Sequence, residues 1–406
     1  MSQELKIDDV IEVTIKRLGI NGEGIGYYNK LACFVVDALP DEVVKVQIAE
    51  VYPTRVVAKL IDIIISSPDR LAVHYPDYVR CGAYGMQHVT YKRALTMKRE
   101  ILIQSLVRYV KTRLDHNIIA PIIGMENPYG YRNKVSLPVR KISGKNRFGL
   151  YIEGSNEFVP VNDTPVQHPE INMILQSLER LMDEMKFDAY IAKDKSGYMK
   201  SCVIRRAYHT GEIQISFLLM KPFEKIDIVV NKIVELYPQI VSVYAYYTDN
   251  YKEQFFFTKK FDKLFGKDTI TEKLNGMTYT LYPEAFFQLN TEMAHIFYEN
   301  MIKMADLKKE DVVVDAYAGI APISHYLHDQ VEKVYAIEID EKSVKSAKLS
   351  LNRNHIKNVT VLQSDFSKAL KNLGIGAIDV MFFDPPRTGL GHQTVKEILK
   401  YKPRKL

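Results

Sequence analysis

The chain has 406 residues, 47% of them hydrophobic and 26% charged, which excludes a disordered or fibrous protein and leaves room for two or three folded domains. No apolar run approaches the roughly 18–20 residues that cross a bilayer, and the start MSQELKIDD lacks a basic-then-apolar leader, so a cytoplasmic protein without membrane contact is expected. The net charge of +6 is unevenly spread: residues 66–150 hold 15 Lys/Arg against 5 Asp/Glu, a net of +10, whereas residues 1–65 carry −3 and residues 151–406 carry −1. Such a block suits a phosphate backbone.

Residues 5–62 read as β structure. The runs VIEVTIKRL, LACFVVDAL, EVVKVQIAEV and RVVAKLIDIII are separated by turn material, NGEGIGYYN and PDE. Four or five short strands in this length predict a small barrel of the OB type. SSPDR (66–70) reads as a linker, and residues 89–114 as an amphipathic helix with a basic outer face. Residues 130–260 return to strand patterns, interrupted by one helix near 170–186, and predict a mixed α+β domain. From about 290, apolar strands at 312–318, 333–339, 359–365 and 378–384 alternate with helical stretches, the pattern of a parallel sheet covered on both faces. The expected domains are 1–65, a barrel; 66–265, a middle domain whose helix 90–114 packs on the last domain; and 266–406, a Rossmann-like sheet.

Chemistry is expected beyond the carboxyl ends of those last strands. Each carries an acid at or near its end: Asp315, Glu338, Asp365 and Asp384. Glu338 lies 23 residues after Asp315, the usual distance for an acid that holds ribose hydroxyls. The turn DAYAGIAP has one glycine, Gly319, too few for a pyrophosphate cradle. A nucleoside ligand without phosphate fits better, and S-adenosylmethionine is one. DPPR then stiffens the chain and holds Asp384 at the sheet edge. Strand-end acids that merely cap helices are the bland alternative.

In this order, PEAFFQLNTEM (283–293), VVDAYAGIAPIS, YAIEID, LQSDF and FFDPPRTGL closely resemble the RNA uridine-5-methyltransferase family, and IKRLGINGEGIGYYN with ALPDE resembles its TRAM domain. YGYRNKVSLPVR and VQHPEIN resemble middle-domain segments. The resemblance implies methyl transfer from S-adenosylmethionine to uridine C5 in RNA, with large-subunit ribosomal RNA as the partner and a monomeric enzyme. By position it implies that Gln288, Tyr317, Gly319, Glu338, Asp365 and Asp384 bind the cofactor. Asp384 lies between methyl donor and target base. Lys92, Arg93, Arg132, Lys134 and Arg387 are expected to meet RNA.

Three departures stand out. The family's nucleophilic cysteine follows DPPR and its glutamate base lies further on; no cysteine here matches, so the nucleophile and base are expected beyond residue 406, in a truncated and inactive chain whose last sheet is incomplete. The alternative is a non-catalytic RNA-binding protein degenerated from the family. An amino-methyltransferase is disfavoured because Arg387, not an aromatic residue, follows DPP. The four iron–sulfur ligand positions of many relatives read Tyr75, Cys81, Tyr84 and Thr164 here, so no cluster and no metal is expected. In the cofactor loop, Ala321 and Pro322 stand where relatives usually have Gly-Thr, and Ala321 is expected to place its Cβ against the ligand.

Overall fold

The computed structural model describes residues 5–110, 115–253, 256–372, 377–386 and 388–406. Its contacts divide the chain into two units, residues 1–128 and 129–406. The boundary expected at residue 65 therefore falls inside the first unit.

In the first unit, β1 (Val10–Leu18), β2 (Gly24–Tyr28), β3 (Leu31–Val35), β4 (Val43–Tyr52) and β5 (Arg55–Ile65) close a barrel in the order β1-β2-β3-β5-β4. Alternating residues such as Val13, Ile15, Val44, Val46 and Ile48 fill its core. Strand β2 lies within the segment read as turn. Its glycines permit a close crossing: a Cβ on Gly26 would stand 2.2 Å from Val13 Cγ1. Helix α1 (Pro76–Arg80) and the longer α2 (Tyr91–Tyr109) follow. Ala94 and Met97 of α2 bury against Leu18 and Leu39, so this helix packs on the barrel.

The second unit holds two larger sheets. Strands β6 (Lys134–Ile142), β7 (Lys145–Tyr151), β8 (Phe158–Pro160), β9 (Met199–Arg206), β10 (Ile213–Leu219), β11 (Ile240–Tyr247) and β12 (Phe261–Gly266) form a seven-stranded sheet in the order β12-β11-β10-β9-β6-β7-β8. Helices α3 (Pro169–Met185) and α4 (Ile226–Leu236) pack on it. Of the two, only α3 is expected from the sequence. Strands β10 and β11 pair in parallel, which requires a crossover, and α4 supplies it.

A hairpin of β13 (Ile270–Leu274) and β14 (Met277–Leu281) leads through residues 282–290 to α5 (Thr291–Ala305). Then come β15 (Val312–Ala316), α6 (Pro322–Leu327), β16 (Lys333–Glu338), α7 (Glu341–Arg353), β17 (Val359–Gln363), α8 (Phe366–Asn372), β18 (Val380–Phe383) and α9 (His392–Tyr401). The four strands are all parallel, in the order β17-β16-β15-β18. The far edge of β18 is not bare: Met381 N–H donates to Lys405 O at 3.2 Å, and Arg404 N–H to Asp379 O at 2.8 Å. No helix among the described residues is long and apolar enough to cross a membrane.

Candidate active site

The strand order turns at β15. The chain first steps to β16 and β17 on one side and then to β18 on the other, so the loops after β15 and β18 diverge and leave a crevice. An open cleft of about 420 Å³, counted to its mouth, occupies this place. Gln288, Tyr317, Gly319 and Asp384 line it, four of the residues selected from the sequence.

The loop after β15 is shaped by backbone. Tyr317, Gly319 and Ala321 all have left-handed φ, +57°, +55° and +60°. Ala318 N–H donates to Ile337 O at 3.0 Å, and Ala321 N–H to Ala318 O at 2.7 Å. The Cβ of Ala321 does not face the cleft as expected. It is buried in a cluster with Ala318, Ala336 and Ala347, because the left-handed turn points it back into the sheet. Pro322 stands at the first turn of α6, where its missing N–H breaks no helical bond.

Glu338 is not among the lining residues but grips the loop that is. Its Oε2 accepts from Gly319 N–H at 2.8 Å, and its Oε1 from Ile339 and Asp340 N–H at 2.7 Å each. A carboxylate offers about four lone-pair sites, so room remains for a ribose hydroxyl. Asp365 lies apart and exposed, accepting from Lys368 N–H at the start of α8 at 3.1 Å. The fourth acid, Asp315, is wholly buried. Ser324 donates to its Oδ2 through both N–H, at 3.1 Å, and Oγ, at 2.6 Å, while Oδ1 has no partner. Burial first, then the charges of Asp384 and Glu338, push its carboxyl up to about 7 despite the Ser324 bonds.

Asp384 projects from the end of β18. Burial raises its pKa, and the amide of Gln288, donating to Oδ2 at 3.2 Å, opposes that shift. Gln288 reaches across from segment 282–290, which the side chains of Asn133, just before β6, and Arg205 of β9 hold in place. Asn133 Nδ2 donates to Gln288 O at 2.9 Å. The buried Arg205 donates to Tyr282 O at 3.1 Å and also to Ala285 O. Two further lining residues, Phe286 and Tyr298, escape sequence reading. Phe286 is exposed and Tyr298 buried; neither position differs in pattern from an ordinary loop or core aromatic.

No thiol lines the cleft. Cys33 sits in the barrel core and Cys202 in the seven-stranded sheet, where burial raises both thiols, Cys33 to about 11. Cys81 is half-buried in the first unit. Of the RNA candidates, Lys92 is exposed, Arg93 pairs with Glu100 at 2.9 Å, and Arg132 Nε donates to Lys134 O at 3.2 Å. Burial and then the Arg205 charge lower the Lys134 ammonium to about 7. Arg387 lies outside the described residues.

Residues 256–404 match the family model described as tRNA (Uracil-5-)-methyltransferase, and residues 5–61 match the TRAM domain. An uncharacterized RNA methyltransferase of Halalkalibacterium halodurans is 34% identical over 408 residues, covering 99% of this chain and 87% of that protein. The chain belongs to the TRAM-bearing RNA uracil-5-methyltransferase family. Another relative in the family, an uncharacterized RNA methyltransferase of Lactiplantibacillus plantarum, is 35% identical over 97% of this chain and 82% of its own length. These matches lend the expected truncation no support. The fold is similar to that of the Pyrococcus abyssi tRNA (uracil-54, C5)-methyltransferase in complex with S-adenosyl-L-homocysteine, with a TM-score of 0.71 at 21% identity, covering 97% of this chain and 87% of that one. As a member of the family, the protein is an S-adenosylmethionine-dependent RNA (uracil-5-)-methyltransferase.

Proposed function

We propose that the cleft binds S-adenosylmethionine beside an extruded uridine of large-subunit ribosomal RNA and serves methyl transfer to uracil C5. The observation that carries this reading is the meeting of Gln288, Tyr317, Gly319 and Asp384 at the turning point of the sheet. When bound, the cofactor supplies an electrophilic methyl group. Glu338 holds the ribose while keeping the Gly319 loop in place, Tyr317 packs beside the nucleoside, and Asp365 stands toward the adenine. Asp384 and the Gln288 amide offer an acceptor and a donor to the uracil edge. Lys92, Arg93, Arg132, Lys134 and Arg387 contact phosphate or sugar, with Arg132 stronger than the desolvated Lys134. The protein acts as a cytoplasmic monomer and carries no iron–sulfur cluster.

Uracil C5 becomes nucleophilic only after a thiolate adds to C6, and no described cysteine reaches the cleft. With no thiolate at the cleft, residues 1–406 bind cofactor and RNA without turning over. The test is calorimetry with S-adenosylmethionine, followed by methyl-transfer assays on large-subunit ribosomal RNA. Transfer RNA is the comparator, because the Pyrococcus neighbour is named for it. Binding without formation of 5-methyluridine is expected. No cofactor binding would overturn the reading in favour of a non-catalytic RNA-binding protein, which the missing thiolate otherwise favours.

A further inference from the structure

Helix α7 starts at the Glu338 clamp. Glu338 Oε1 accepts from Asp340 N–H at 2.7 Å, and Asp340 caps the helix by accepting from Ser343 N–H, also at 2.7 Å. From there Lys342, Ser346, Ser350 and Asn354 follow at four-residue spacing and so share one face. That face runs along the edge of β14 not paired with β13, in the opposite direction. Asn354 Oδ1 accepts from Thr278 N–H at 2.9 Å, Ser350 Oγ from Thr280 N–H at 2.9 Å, and Ser346 Oγ from Tyr282 N–H at 3.3 Å. Four residues of helix advance about 6 Å and two residues of strand about 6.8 Å. The two elements therefore keep step, and each rung satisfies an edge N–H that the hairpin leaves outward.

The next rung in the series is Lys342 with Glu284, and it is built on charge. Glu284 begins the stretch that carries Phe286 and Gln288 into the cleft. Lys342 Nζ lies 3.9 Å from Glu284 Oε1, and both side chains are largely buried. The same ammonium stands over the rings of Phe261 in β12, at 5.3 Å, and Tyr282, at 5.1 Å. Glu284 Oε1 also accepts from the phenol of the buried Tyr246 in β11, at 2.8 Å. One lysine thus joins the helix that follows Glu338, the edge of the seven-stranded sheet and the segment that ends in Gln288.

We propose that Lys342 is a positioning residue that, through Glu284, ties the Gln288 segment to the helix of the Glu338 clamp and so fixes the spacing of the two sides of the cleft. The proposal rests on the reading of the cleft as a cofactor site. Without this rung the three neutral ones still hold β14, but beyond Tyr282 the segment is tied only to the seven-stranded sheet, by Arg205, Tyr246 and Asn133. Gln288 then meets Asp384 less regularly, and ligand binding weakens although no group in the cleft has changed.

The experiment pairs calorimetry with S-adenosylmethionine and hydrogen exchange of the unliganded 406-residue chain. Wild type, Lys342→Met, Lys342→Arg, Gln288→Ala and the Lys342→Met/Gln288→Ala double variant are compared, with the exposed Lys348→Met as control for a charge lost from α7. Lys342→Met is expected to weaken binding about fivefold, Lys342→Arg to stay within about twofold of wild type, and Lys348→Met likewise. In the Gln288→Ala background the Lys342→Met loss disappears, because the lysine acts through that glutamine. Amides of residues 284–290 exchange severalfold faster in Lys342→Met, while those of 278–282 keep their protection. Unchanged affinity and exchange in Lys342→Met, a loss that arginine does not restore, or a loss that persists in full beside Gln288→Ala overturns the proposal. Should Lys342→Met not fold, unchanged affinity and exchange in Glu284→Gln overturn it as well. A wild type that does not bind S-adenosylmethionine refutes the cofactor reading instead, and exchange in residues 284–290 then decides the tie by itself.

Discussion

Two regions where the resemblance leads one to expect a departure from the family pattern are held together by different means. In the cleft, alanine and proline stand at 321 and 322 of the cofactor loop, yet the loop keeps its course. Its shape rests on main-chain bonds and on the Glu338 carboxylate, none of which asks for a particular side chain at those two positions. In the segment 75–88 of the first unit, three of the four expected ligand positions across the chain are not cysteines, and what fills the space is different in kind. The rings of Tyr75 and Tyr78 stack with centroids 5.3 Å apart, and Tyr84 packs against Tyr75 at 6.4 Å. The buried Gln87 ties the segment with its amide, donating to Tyr75 O at 2.8 Å and Tyr84 O at 3.1 Å and accepting from Tyr75 N–H at 2.9 Å. A loop held by main-chain bonds and a strand-end acid asks little of its side chains, whereas the segment 75–88 is held by ring stacking and side-chain hydrogen bonds.

The sharpest way to break this contrast is Glu338→Ala. It removes the acceptor of three N–H groups and is expected to weaken S-adenosylmethionine binding about 100-fold, on the order of 3 kcal/mol. Near-normal affinity by calorimetry would show that the loop needs no acid. Next comes Asp315→Asn. The Asp315 carboxyl, raised to about 7 by burial, keeps its proton in the folded state well above the pH at which the unfolded chain releases it. Its stabilising contribution is therefore fullest at low pH and is lost as pH rises through about 7. Urea titrations should show Asn gaining on Asp by on the order of 2 kcal/mol between about pH 5 and about pH 8; a pH-independent difference would contradict the assignment.

In the other region, Gln87→Leu leaves the Tyr75 and Tyr84 carbonyls without this donor and should destabilise the first unit by about 1–2 kcal/mol, read by chemical denaturation. No loss would mean that the tyrosine stack alone carries the segment. The smallest effect is expected from Ala321→Gly, which relieves a left-handed alanine. Thermal unfolding should show stabilisation of up to about 1 kcal/mol, provided the lost methyl in the alanine cluster does not outweigh it.

Much of the molecule is legible in the residues themselves, for physical reasons that can be named. The alternation of Val13, Ile15, Val44, Val46 and Ile48 announces a barrel because every second side chain must enter the core. The apolar runs ending in Asp315, Glu338, Asp365 and Asp384 announce parallel strands with ligands at one edge. Strand β2 and helix α4 are illegible locally. Glycines that permit a close crossing look like turn residues, and a short helix rich in Ile and Val looks like a strand.

The division of labour among the four acids belongs to the tertiary structure alone. Equivalent in the sequence, they become a loop clamp at Glu338, a buried carboxyl of raised pKa at Asp315, a helix cap at Asp365 and a cleft carboxylate at Asp384. Chain order sets which strand each acid ends, but burial and neighbours set its charge and its partners. Those neighbours come from far along the chain: Asn133 reaches Gln288 across 155 positions, and Gln288 reaches Asp384 across 96. Side-chain type and spacing encode the elements, whereas the field at a carboxylate is a sum over everything folded around it.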